Sequence, residues 1–115
     1  MKIIALKSNI KRGLDIVSRV TGDSASALPI LKNFLIETVD NRIQFSATNL
    51  ELAVTHFISG KIIENGGLTI PAGLFSSIIL NLQSERINFE SEGENLIIKT
   101  DNYEAKIHGI KKEEF

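Results

Sequence analysis

The chain has no cysteine and no tryptophan, and only two prolines, one tyrosine and one methionine among its 115 residues. Without cysteine there can be no disulfide, no thiolate zinc site and no thiol nucleophile. That composition suits a reducing compartment, and a cytoplasmic protein is expected. No apolar run reaches the roughly 18 residues a membrane-spanning helix requires, so no membrane partner is expected. Met1-Lys2-Ile3-Ile4-Ala5-Leu6-Lys7 brings in lysine too early, and its apolar run is too short, for a secretory leader. An excess of one charge is also missing. Lys and Arg number 13 against 14 Asp and Glu, a formal net charge of -1. Any nucleic acid would have to be met by a local patch. What remains is 43% hydrophobic and 23% charged, enough to fill the core of one domain.

Periodicity divides the chain into ten elements. Lys2 to Leu6 reads as a strand, and Ser8 to Val20 as a helix capped by Ser8 or Asn9. Ile10, Gly13, Leu14, Val17 and Val20 form its buried stripe. Thr21 to Ala27 is a loop, and Pro29 leads into a strand at Phe34–Val39. Asp40-Asn41 turns the chain into a strand carrying Ile43, Phe45 and Ala47, and Asn49 turns it into one carrying Leu50, Leu52 and Val54. Asn65-Gly66-Gly67 is a turn before the strand Leu68 to Ile70. Pro71 opens a second helix with Leu74, Phe75, Ile78, Ile79 and Leu82 as its apolar stripe. Strands around Ile87 and Phe89, at Leu96–Thr100 and at Tyr103–Ile107 complete the chain, the first two joined by Glu92-Gly93-Glu94.

The same order, strand, helix, strand, strand, strand, occurs twice, over about residues 1–64 and 65–115. Ile4 and Leu6 match Leu68 and Ile70 at an offset of about 64. Ile43, Phe45, Asn49 and Glu51 match Leu96, Ile98, Asn102 and Glu104 at about 53. The fold class is therefore α+β, built from two βαβββ units whose sheets bury one face beneath the helices.

Signals for catalysis are sparse. His56 and His108 sit in strand patterns, and Asn65-Gly66-Gly67 lacks the Lys-Ser/Thr of a phosphate loop. Ser76 and Ser77 lie on a helix without a nucleophile elbow. Glu90, Glu92 and Glu94 form an acidic set that suits a solvated edge. A small metal-dependent hydrolase built on them ranks last among the readings. No catalytic residue, metal or cofactor is expected. The best lead is the first helix. Lys7, Lys11, Arg12 and Arg19 fall away from the core in a row able to follow a phosphate backbone, with Asp15 among them. No aromatics are interleaved, so sequence-blind phosphate contact is the implied mode.

Leu28-Pro29-Ile30-Leu31, Ala47-Thr48-Asn49-Leu50-Glu51 and Ile70-Pro71-Ala72, in this order across the duplicated pattern, resemble the N-terminal domain of the bacterial DNA polymerase III β subunit, the sliding clamp. The resemblance runs over the whole chain. Asn49 stands where the family usually has Asp, and both suit a turn. The resemblance implies a DNA-clamp fold, with this chain as the first of three such domains. It also implies a head-to-tail ring of two subunits around double-stranded DNA, with DNA polymerase III and the clamp loader bound through other domains. It further implies DNA-facing positions at Lys7 and Arg12, with Lys11 and Arg19 added by helical position. Ala25 and Gly73 stand where the family commonly carries arginine, which weakens the expected contact. Leu74, Ile78, Leu82, Asn102, Glu104, Ala105 and Ile107 fall at the ring interface. By itself the chain should bind duplex DNA barely or not at all, and its edge strand could pair with another copy. The competing reading is a stand-alone protein-interaction module that offers that edge strand and has no DNA role.

Overall fold

The structure, a computed structural model, describes residues 1–20, 32–49 and 51–114. The elements run β1 (Lys2–Leu6), α1 (Lys7–Val17), β2 (Asn33–Val39), β3 (Arg42–Thr48), β4 (Ala53–Ile58), β5 (Gly60–Glu64) and β6 (Gly67–Pro71). They continue with α2 (Ala72–Asn81), β7 (Arg86–Glu92), β8 (Asn95–Thr100), β9 (Tyr103–His108), β10 (Ile110–Lys111) and a 3-10 turn at Lys112–Glu114. This is an α+β fold with two helices and two antiparallel five-stranded sheets, ordered β5-β1-β7-β8-β9 and β10-β6-β2-β3-β4.

That order carries the internal duplication one step beyond the sequence pattern. Each first strand sits in the sheet of the other half: β1 pairs with β7, and β6 pairs with β2. The two halves are thereby laced together, and neither sheet contains the strands of one half alone. Register corrects the alignment of the halves. Ile3 faces Phe89 and Leu68 faces Ile36, so Ile3 rather than Ile4 matches Leu68. A slip of one residue turns a strand over. Accordingly Ile3 and Ala5 are buried, while Leu6 is exposed. Likewise Ile58 faces Ile43 and Ile107 faces Leu96, so β9 matches β4 with Ile107 at the place of Ile58. The offset of 53 thus holds along β3 and β8 up to Asn49 and Asn102 but falls to 49 along β4 and β9, so Glu104 matches Thr55 rather than Glu51.

The short strands β5 and β10 have no counterpart in the sequence reading. They arise where β4 and β9 leave one sheet and enter the other. Both crossings carry a glycine. A Cβ at Gly60 would run into Ile43 and the Ile4 carbonyl, and one at Gly109 into the Thr69 carbonyl. The turns Asp40-Asn41 (φ 51° and 64°) and Glu92-Gly93-Glu94 (Gly93 φ 63°) close hairpins as their residue types require. Leu52 is exposed and belongs to the β3–β4 connection rather than to a strand. There Asn49 Oδ1 accepts the amides of Glu51 at 3.0 Å and Leu52 at 2.8 Å.

Both helices pack against one another on one side of the sheets. Ile10, Leu14 and Val17 of α1, and Phe75, Ile79 and Leu82 from α2 and its end, are buried in the shared core. Its centre is aromatic. Phe75 lies 5.2 Å from Phe34, 5.8 Å from Phe89 and 6.3 Å from Phe45, ring centroid to ring centroid, so α2 touches side chains of both sheets.

Candidate nucleic-acid interface

The helix α1 begins at Lys7, and Leu6, its N-cap residue, makes no side-chain cap. Neither Ser8 nor Asn9 holds that position. The start is fixed from outside, by the segment that leaves α2. Glu85 Oε2 accepts the Ser8 hydroxyl at 2.6 Å and the Ser8 amide at 3.4 Å, and the Glu85 carbonyl accepts the Lys7 amide at 2.6 Å. A carboxylate at this end also complements the helix dipole. Sequence separation explains why local motif reading misses it, since Ser8 and Glu85 are 77 residues apart.

Four basic residues were expected on the face of α1 away from the core, and they divide. Lys11 and Arg12 are exposed and lie with Asp15 along a groove of about 450 Å³ between α1 and residues 83–85. Lys7 lines the same groove but is only half-exposed, and its ammonium donates to the Leu82 carbonyl at the end of α2. It serves to join the helices as much as to face outward. Arg19 is exposed but falls beyond the helix, which ends at Val17 rather than Val20. Ala25 and the Leu28-Pro29-Ile30-Leu31 motif lie outside the described residues. Gly73 is exposed in the first turn of α2, with no atom within 4 Å of where a Cβ would stand.

The residues expected at a subunit interface separate in the same way. β9 is the edge of its sheet and pairs only with β8 among the described strands. Asn102 and Glu104 are exposed there, and Ala105 is half-buried. Leu74 is 51% exposed on α2, and Ile78 is half-buried against the core. Leu82 and Ile107 are corrections to the expected set. Leu82 continues the buried stripe of α2, and Ile107 points inward opposite Leu96, leaving them 5% and 1% exposed. Ile107 can offer a neighbour its main chain, not its side chain. Leu80, 54% exposed, is an apolar surface residue that the helical pattern did not single out.

The acidic set does not form a metal site. Glu92 instead lies 3.8 Å from Lys106. Among the described residues, no three His, Asp or Glu side chains come together as metal ligands. Among them too, no helix is long and apolar enough to cross a membrane.

Residues 1–115 match the family described as DNA polymerase III beta subunit, N-terminal domain. The chain belongs to this family. The β sliding clamp of Chlamydia muridarum is 26% identical across the whole chain, which covers 31% of that relative. The crystal structure of a DNA polymerase III beta subunit from Eubacterium rectale superposes with a TM-score of 0.94 at 28% identity, over 100% of this chain and 32% of that one. The sliding clamp of Bartonella birtlesii, solved bound to griselimycin, gives 0.92 at 28% identity, over 100% and 31%. This clamp domain thus spans about a third of the length of its relatives.

Proposed function

We propose that this chain is the first of three domains of a sliding-clamp subunit. Two subunits close head to tail around duplex DNA and hold the replicative polymerase on its template. DNA polymerase III and the clamp loader engage other domains of the subunit. The observation that carries this reading is the match of the entire chain to the N-terminal clamp domain. The geometry is compatible with it: paired helices keep one face in solvent, and the one on α1 carries Lys11 and Arg12.

The mechanism needs no reacting group. A closed ring retains DNA by topology, so its inner contacts can be weak and indifferent to sequence. Lysine and arginine facing phosphates, directly or through water, supply such contacts. At the ring boundary, the free edge of β9 would add main-chain hydrogen bonds to a neighbouring sheet, with Leu74 as apolar contact beside it.

The test uses the full-length parent subunit loaded on DNA. On closed circles it should survive a salt wash that releases ordinary phosphate-bound protein. On linear DNA it should run off the ends. Equal, salt-sensitive loss from both would overturn the ring.

A further inference from the structure

We propose that Glu85 is a built-in counter-charge of the α1 groove, a fixed carboxylate that keeps phosphate contact there weak. The inference rests on the reading of α1 as a DNA-facing helix and concerns how strongly that face holds its ligand.

Three facts place the charge. First, Glu85 lines the groove that Lys11 and Arg12 also line. Second, it is held there. Its main chain is anchored by the Lys7 amide at 2.6 Å, and its carboxylate takes the Ser8 hydroxyl at 2.6 Å, so the side chain swings away only by giving up its bonds to Ser8. Third, among the described residues it has no direct ion pair. Among the described residues the ion pairs are Lys99–Glu104 and Lys106–Glu92, and the Lys7 ammonium is bound to the Leu82 carbonyl instead. Lys11 and Arg12 are equally without an ion pair among those residues. A phosphate drawn to them therefore approaches the Glu85 carboxylate across the groove, in addition to Asp15 on α1 itself. The Ser8 hydroxyl, which could otherwise donate to it, is already occupied.

Such an arrangement suits a protein that must move along its ligand. Each cation lowers the energy of a phosphate at one position, and a fixed carboxylate beside it makes that well shallower. The effect should be largest at low ionic strength, because screening extends over about 10 Å at 0.1 M salt and about 30 Å at 0.01 M.

The test is a titration of the chain with an arbitrary duplex of about 20 base pairs, followed by amide chemical shifts at about 20 mM and about 200 mM salt. Glu85→Gln keeps an acceptor oxygen for Ser8 and removes the charge. It should tighten binding about three- to ten-fold at the lower salt, with most of the gain gone at the higher. Glu64→Gln, on exposed β5 at the opposite end of β1, measures the effect of net charge alone and should give a much smaller gain. Lys11→Gln with Arg12→Gln should weaken binding. If Glu85→Gln gains no more than Glu64→Gln while the double variant weakens binding, the counter-charge is refuted and the DNA face stands. If the double variant changes nothing, the DNA face falls, and the inference with it. Absence of binding by Glu85→Gln at the lower salt also overturns the inference.

Discussion

The helices α1 and α2 occupy equivalent places in the two halves and have become opposites on their outer faces. Setting Ile3 against Leu68 aligns Ile10 with Phe75, Leu14 with Ile79 and Val17 with Leu82, and all six are buried. On the solvent side Arg12 stands against Ser77, and Asp15 against Leu80. Between Ala72 and Asn81 there is no charged residue at all. The buried stripe answers to the shared core, which both helices must still fill. The exposed face has no such constraint, so its divergence reports what each helix meets outside. For α1 the proposed object is a phosphate backbone. α2 instead turns Leu74 and Leu80 outward, each about half exposed.

The aligned core residues are not equal, and the largest expected effect tests that. Phe75 contacts aromatic rings from both sheets, whereas Ile10 occupies the corresponding place beneath α1. Phe75→Ala should cost about 3–5 kcal/mol in denaturant unfolding, enough to leave the domain marginal. Ile10→Ala should cost less, about 2–4 kcal/mol. The reverse order would show that α1, not α2, organises the core.

Two helical glycines sharpen the contrast with opposite signs. A Cβ on Gly13 would stand 2.7 Å from Ile58 Cδ1 and 2.9 Å from Phe45 Cδ2, because α1 lies close on the sheet formed by β3 and β4. Gly13→Ala should destabilise by about 1–3 kcal/mol through overpacking. Gly73 meets nothing, so Gly73→Ala should stabilise by about 0.5–1 kcal/mol through helix propensity. Thermal unfolding of the two variants reads both signs, and a stabilised Gly13→Ala would mean that α1 is free to lift from the sheet.

The glycine at 13 shows what a sequence can and cannot disclose. Its place in the apolar stripe was visible, since Ile10, Leu14 and Val17 recur around it at helical spacing. The strand alternation through Ile43, Phe45 and Ala47 was equally plain, and so was the order of elements in the two halves. Periodicity survives because every residue in an element shares one core. What was not legible depends on partners distant in the chain. The exchange of β1 and β6 between sheets is set by pairing, and a one-residue error in aligning Ile3 with Leu68 could not be seen without it. Glu85 carried no signal as the cap of α1, because its partner Ser8 is 77 residues away. In the same way the pattern of the sequence makes Lys7 another surface cation, whereas its ammonium donates to the Leu82 carbonyl, 75 residues away. The burial of the Leu82 and Ile107 side chains was not legible either, because helix and strand patterns tell which residues share a face, not which of two apolar faces is covered.

The charge difference between the helices can be transplanted. Ser77→Arg on α2 reproduces Arg12 on α1, and Gly73→Arg has open space to receive it. Each should tighten binding of the chain to duplex DNA by a few-fold at low salt, and each added phosphate contact should steepen the dependence of log affinity on log salt by about 0.9. Fluorescence anisotropy across a salt series measures both quantities. An unchanged slope would place the exposed side of α2 away from the duplex that α1 contacts.

The smallest effect concerns the two turns that precede the matching strands β4 and β9. Asn49 closes the first with its side chain, taking two amides, while no side-chain hydrogen bond from Asp101 or Asn102 is found in the second among the described residues. Asn49→Ala should cost about 0.5–1.5 kcal/mol, and Asn102→Ala close to nothing. Asn49→Asp keeps an acceptor oxygen at the same reach and should be nearly neutral, which is why the departure from the family's usual aspartate leaves the turn intact. Urea midpoints of the three variants decide the matter. If Asn102→Ala were the costlier of the two alanine variants, the second turn would depend on a side chain as the first does, and the long connection of the first half would not be what makes Asn49 necessary.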